Sequence, residues 1–248
     1  MSKIAFITGP DRGLGFAMTE RLLDKGWKVY AGQYMPQWTE LSDLCKKYEG
    51  NLILIPLDVS KEESVKKASE MVSETTDIVD LIINNAGIIS KTYNKKISMG
   101  LDYSEMERVF NVNTLGPLRV VEAFLPLTDK SAMKRLCFVS SESGSINNSN
   151  RQDNYGYCMS KAALNMNVMM MFNRLRPEGY TFRLYHPGWV RGYMFGKKSE
   201  EGNLEPSEAA IPAITYFLRD RCRDPHDSKR TDEDRLVLRD WLGRELSW

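Results

Sequence analysis

Residues 3–15 (Lys-Ile-Ala-Phe-Ile-Thr-Gly-Pro-Asp-Arg-Gly-Leu-Gly) constrain the fold more than any other stretch of this chain. The apolar run Lys3–Thr8 reads as a buried strand. Glycines then let the backbone turn, and Gly13–Lys25 has the spacing of an amphipathic helix closed by Gly26. The alternation continues with strands at Trp27–Ala31, Leu52–Ile55, Val79–Ile83, Arg135–Ser140 and Thr181–His186. Capping-box patterns at Ser60–Glu63 and Ser104–Glu107 open two helices, the second reaching roughly to Leu127, and a third covers Gly156–Leu175. Short strands alternating with helices imply right-handed crossovers and a parallel sheet covered on both faces. No repeat or linker divides the chain, so 1–248 is expected to form one α/β domain, a doubly wound parallel sheet with helices on both faces. The charged stretch Arg219–Arg235 is expected to be a solvated loop, and Trp241 and Trp248 to dock on the body or on a partner subunit.

Composition narrows the partners. Basic and acidic side chains number 34 and 33, a net charge of +1, which disfavours nucleic acid or an anionic membrane as the main partner. The N-terminal apolar run is too short for a signal peptide, and no stretch is long enough to span a bilayer. Cys45, Cys137, Cys158 and Cys222 show neither metal nor disulfide spacing, so a cytoplasmic protein with reduced thiols is expected. With only His186 and His226 present, a histidine triad or zinc site is disfavoured and no metal is expected.

Gly9, Gly13 and Gly15, with Leu14 between the last two, suit a backbone that approaches a pyrophosphate at a helix N-terminus. An ordinary tight turn is the rival reading, and the strand before and helix after favour the nucleotide. No Gly-Lys-Ser/Thr follows, so a triphosphatase loop is excluded. Three residues separate the first two glycines, unlike Gly-x-Gly-x-x-Gly. At the end of the second strand, where an NAD enzyme places an acid for the ribose, this chain has Gln33 and Tyr34 and no carboxylate until Glu40. Arg12 could reach a 2′-phosphate, the rival being a solvated turn arginine. NADP(H) is therefore expected over NAD(H).

Tyr157 and Lys161, four residues apart, share one face of a helix, with Ser141 upstream. Bringing a phenol from about 10 down to about 7 needs roughly 4 kcal/mol of preferential stabilisation of the phenolate. A nearby lysine in a desolvated cleft could supply it. Tyr193 and Lys197 repeat the spacing, but flanking glycines argue against a helix there, and we read that copy as coincidence.

Taken in order, Thr8–Gly15, Asn84–Gly87, Ser141 with Tyr157 and Lys161, and Pro187-Gly188 resemble the short-chain dehydrogenase/reductase family over the whole chain. The runs Val-Ser-Ser-Glu-Ser-Gly-Ser-Ile and Pro-Gly-Trp-Val look most like its C-factor and sniffer-type carbonyl reductase branch. The resemblance implies a Rossmann fold, a catalytic tetrad of Asn113, Ser141, Tyr157 and Lys161, and a homodimer or homotetramer. It also implies coenzyme contacts from Asp58 (to adenine), Val59, Ala86, Gly87, Pro187, Gly188 and Val190, with Asn85 steadying the central sheet. Local helix distortion at Asn113, a strand-end hydroxyl at Ser141 and core packing of Tyr157 are the bland rivals.

The implied chemistry is hydride transfer from NADPH to a carbonyl carbon, with Tyr157 as general acid, Ser141 bonding the same oxygen, and Lys161 tuning the phenol and connecting through Asn113 to a water relay. Two departures stand out. The segment Asn147–Arg151 lengthens the connection between Ser141 and Tyr157, and Gly192 stands near the family's usual nicotinamide-contacting threonine. Substrate contacts are expected in Ser90–Leu101, Asn147–Tyr155 and Gly192–Leu204. The helices Ser104–Leu127 and Gly156–Leu175 would meet their symmetry mates, because Val168–Phe172 is apolar around most of a turn. The alternatives are a nucleotide-binding regulatory protein on the same fold and an enoyl reductase, whose upstream tyrosine is replaced here by Asn154.

Overall fold

The computed structural model describes residues 2–194, 196–219 and 233–248. One eight-stranded sheet has the order β3-β2-β1-β4-β5-β6-β7-β8. Its strands are β1 Ile4–Thr8, β2 Lys28–Gln33, β3 Leu52–Pro56, β4 Leu81–Asn84, β5 Arg135–Val139, β6 Thr181–His186, β7 Leu238–Asp240 and β8 Glu245–Leu246. All neighbours pair in parallel except β7 and β8, which form an antiparallel hairpin at the edge.

Helices cover both faces. On one lie α3 (Glu62–Ser73), α5 (Gly116–Thr128) and α6 (Tyr155–Leu175), packed through Val65, Phe124 and Leu164. On the other lie α1 (Gly13–Asp24), α2 (Glu40–Lys47) and α7 (Pro206–Leu218), packed through Met18, Leu41 and Phe217. This is the doubly wound α/β sheet expected from the alternation. The strand order turns outward in both directions between β1 and β4, and a crevice opens there beyond their C-terminal ends.

Several local expectations are corrected. The helix after β3 begins one residue later than a Ser60 cap would place it, because Ser60 bonds Asp58 through its N–H (3.0 Å) and hydroxyl (2.6 Å). The next helix, α4 (Tyr103–Phe110), is capped by Asp102, whose carboxylate accepts the Glu105 N–H at 3.1 Å, and not by Ser104. The long helix expected to Leu127 is interrupted by a π-helical segment, Asn111–Leu115, before α5 begins. Pro117 lies just beyond it and has no N–H, so the carbonyl of Asn113, four residues back, lacks its α-helical donor.

Within Arg219–Arg235, residues 220–232 lie outside the described residues. Of the described ends, Asp234 and Arg235 are exposed turn residues, as expected, whereas the other two are tied to the body: the Arg219 carbonyl accepts from Arg135 (3.1 Å) and buried Arg183 (3.3 Å), and Glu233 pairs with Arg183. Both C-terminal tryptophans dock on the body, Trp241 over Gly188 and Trp248 against the core of the α5–α6 face. Asn147 and Asn148 donate to the carbonyls of Trp248 and Ser247, both at 3.2 Å, so this part of the lengthened segment clasps the chain's end.

Candidate active site

Three turns at the C-terminal edge of the sheet build the site. After β1 the backbone enters a glycine turn. A Cβ at Gly15 would lie 2.1 Å from the Gly9 carbonyl oxygen, and Gly13 adopts φ +60, so neither position tolerates a side chain without strain. After β4, Asn85 stitches this turn to the sheet: its side-chain amide donates to the carbonyls of Thr8 and Gly9, both at 3.0 Å. The N–H groups of Asn85 and Ala86 both reach the Thr8 hydroxyl at 3.0 Å. After β5, Ser141 accepts the Ser143 N–H at 3.1 Å, which leaves its own O–H to donate elsewhere.

Ser141, Tyr157 and Lys161 meet in the crevice, and Asn113 stands behind them. A Cβ at Gly87 would lie 3.5 Å from Asn113 Oδ1 and 3.6 Å from Lys161 Nζ, so both converge on that glycine. The Asn113 amide is spent on protein: it accepts the Ile88 N–H (2.8 Å) and donates to the Ile88 carbonyl (2.9 Å) and the Ser160 hydroxyl (3.0 Å). Functional π segments are a recurrent device, and the rival readings for Asn113 and Ser141 name contacts that coexist with these positions.

The electrostatics differ from the sequence expectation. Burial pushes the Tyr157 phenol up to about 12, and the Ser141 hydrogen bond offsets only part of it. Lys161 is buried with its Nζ 5.6 Å from the Tyr157 ring centre and donating to the Val139 carbonyl at 3.0 Å. Burial lowers it to about 8. In the protein alone, desolvation sets the direction of both shifts, and the phenol is held protonated.

The adenosine end contains a residue that the sequence reading passed over. Asp11 is buried, and its carboxylate accepts the N–H groups of Tyr34 (3.1 Å) and Met35 (2.8 Å) at the end of β2. The expectation of no carboxylate near this position is thus corrected: the chain supplies one from the glycine turn. Arg12 is half-buried, its guanidinium 4.6 Å from the Trp38 ring and 5.5 Å from that of Tyr193. Burial lowers its pKa from the ordinary value, and Asp11 opposes the shift. Tyr193 and Lys197 lie in a loop, so their spacing is not a second helical pair.

The crevice fits a dinucleotide. The glycine turn closes where a Cβ would collide, and the buried Gln33 amide nitrogen has no hydrogen-bond partner among the described residues. Asp58, just after β3, keeps one oxygen on Ser60 and the other 3.5 Å from Lys61. Val59 packs on Gly116, and Val190 bridges to Leu204. Pro187 and Gly188 carry the chain from β6 into the loop above the crevice, where the Gly192 N–H bonds the Val190 carbonyl at 2.7 Å. Among the described residues, no helix is long and apolar enough to cross a membrane.

A sequence model for short chain dehydrogenase matches residues 3–203. The chain belongs to the short-chain dehydrogenase family. This short-chain dehydrogenase is thus an NAD(P)-dependent oxidoreductase. It is 45% identical over 122 residues to the C-signal of Myxococcus xanthus, covering 49% of this chain and 71% of that one. The NADPH-bound carbonyl reductase from chicken fatty liver superposes with a TM-score of 0.84 at 26% identity, over 100% of this chain and 99% of that one. The carbonyl reductase Sniffer of D. melanogaster gives a TM-score of 0.85 at 23% identity over the whole of both chains, a likeness of fold. These relatives agree with the branch that the motifs resemble.

Proposed function

We propose that this short-chain dehydrogenase reduces a ketone or aldehyde to an alcohol with NADPH, with Tyr157 as the general acid. The observation that carries this reading is the meeting of Ser141, Tyr157 and Lys161 beside the glycine crevice, with the phenol held in its protonated form. NADPH, when bound, supplies the hydride. Ser141 donates to the carbonyl oxygen as negative charge grows there, and Tyr157 delivers the proton. Lys161, charged below about 8, steadies the phenolate left behind. Asn113 holds the segment after β4 against α6 and leaves its backbone carbonyl for a proton path. Gly9, Gly13, Leu14, Gly15, Ala86 and Gly87 would bind the pyrophosphate and nicotinamide ribose, Asp58 and Val59 the adenine, and Arg12 and Gln33 the adenosine ribose and its phosphate. The loop from Pro187 through Val190 would cover the nicotinamide.

NADPH consumption with a panel of carbonyl compounds tests the reading, and a Tyr157→Phe variant that turned over at a near-normal rate would overturn the role of that residue. Kinship with the C-signal favours a second reading, a nucleotide-binding regulatory protein; NADPH binding without turnover on any carbonyl in the panel would support it. The protein works in the cytoplasm as a homodimer or homotetramer in this proposal. Met159, Met166 and Met170 are exposed on one side of α6, beside exposed Tyr103, Phe110 and Leu118, which supports an oligomeric contact there.

A further inference from the structure

Arg12 joins three segments that are distant in sequence. Its side chain lies over Trp38, from the loop after β2, and approaches Tyr193, from the loop after β6. The two rings touch edge to face at 5.2 Å. Arg12 Nη2 donates to the Tyr193 carbonyl at 3.0 Å, the one hydrogen bond its side chain makes among the described residues. A guanidinium has five N–H donors, so most remain for an anion while the two neighbouring rings pack against one side of it.

The loop that carries Tyr193 is closed at its base. Val190 bridges to Leu204, the Asn203 N–H reaches the Trp189 carbonyl at 2.8 Å, and Arg191 pairs with Glu205 at 3.1 Å. Beyond that base, Tyr193 fastens the loop across the glycine turn, lying 3.5 Å from where a Cβ on Gly13 would sit. The Trp38 side is fixed as well: Asp11 holds the N–H groups of Tyr34 and Met35, and the Met35 carbonyl accepts the Trp38 N–H at 3.0 Å.

We propose that Trp38 and Tyr193 are positioning residues that form a latch on Arg12, through which a 2′-phosphate bound at Arg12 holds the loop 192–204 closed over the crevice. The proposal rests on the reading that Arg12 faces the 2′-phosphate. An anion at the free edge of the guanidinium restrains it against the pair of touching rings, and the restrained guanidinium keeps the Tyr193 carbonyl and ring in place. The coenzyme's phosphate, remote from the reacting carbon, thereby sets the shape of the cleft that receives the substrate.

The test needs no turnover. Exposed Lys197 and Lys198 lie in the loop and report its opening to trypsin. With 2′,5′-ADP the loop should be cleaved several-fold more slowly than with 5′-ADP. Tyr193→Ala and Trp38→Leu should each abolish that difference and weaken 2′,5′-ADP by about two- to thirtyfold, the range of one cation–π contact. Their 5′-ADP affinity and circular dichroism should be unchanged, and Tyr193→Phe should behave as the unmodified protein. If the protein prefers 2′,5′-ADP but cleavage ignores which nucleotide is bound, the latch is overturned and the coenzyme reading stands. If 2′,5′-ADP and 5′-ADP bind equally, the reading of Arg12 fails and the latch fails with it.

Discussion

Replacing Lys161 with methionine should abolish catalysis and stabilise the fold. The amine is 4% exposed, and burial is the one cause of its fall from the ordinary 10.5 to about 8. At ~1.36 kcal/mol per decade of proton affinity, burying the charge costs about 3 kcal/mol at neutral pH. Methionine removes that cost but leaves the Val139 carbonyl without its donor, a loss of about 1–3 kcal/mol. The net gain at pH 7 is then on the order of 1 kcal/mol, or about 2–4 °C in Tm for a chain of this size. The pH dependence is the firmer test. Below about 8 the amine is charged in both folded and unfolded chains, and the full cost is present. Between about 8 and 10.5 the unfolded chain binds a proton that the folded chain has lost, so the unmodified protein gains stability as pH rises. From pH 7 to 9.5 it should gain about 2 kcal/mol on the variant. Denaturant titrations at both pH values measure the difference by linear extrapolation. A variant less stable at pH 7, with a difference that does not change by pH 9.5, would refute the account and mean that the ammonium is well solvated in the cleft.

Further expectations follow from the site. Tyr157→Phe should keep NADPH affinity and lower turnover by roughly 10² or more, measured by NADPH absorbance; Tyr193→Phe should leave the chemical step unchanged. Because Tyr157 stays protonated up to about 12 and Lys161 loses its proton near 8, kcat/KM for reduction should be level at neutral pH and fall above about 8. A pH profile rising through that range would contradict the assignment. By separate titration NADPH should bind about tenfold tighter than NADH, the lower end for one charge-assisted contact because Asp11 stands nearby. Arg12→Ala should erase most of that gap, and Asp11→Asn should widen it. Met166→Glu with Met170→Glu should convert the oligomer to a monomer in sedimentation at micromolar concentration; a monomeric unmodified protein would sink the oligomer proposal.

Much of the fold was legible because burial on both faces of a parallel sheet forces short apolar runs, and crossover helices repeat at 3.6 residues. Thr181–His186 is a strand with the bounds read from the pattern, and the Gly156–Leu175 helix begins one residue early. Other elements escaped. Helices α2 and α7 and the hairpin β7–β8 carry weak or proline-interrupted patterns, as at Pro212 within α7. The cap at Asp102 and the π segment at Asn111–Leu115 were hidden because several polar residues compete for each cap. Arg183 is fully buried in β6, with its guanidinium 5.5 Å from the Tyr216 ring and paired with Glu233, a charge at a core position that apolar periodicity cannot flag.

The same division runs through the site. Tyr157, Lys161, Ser141 and the glycine turn were readable because each depends on short-range spacing: one helix face, one strand end, one strand-to-helix turn. Asp11 meeting Tyr34 and Met35, and Trp38 and Tyr193 meeting on Arg12, are juxtapositions of segments up to 181 residues apart, created by strand order alone. The proton affinities belong with them. Sequence places a lysine one helical turn from a phenol and suggests attraction. Burial, which only the packed chain sets, decides that both groups first shift toward their neutral forms.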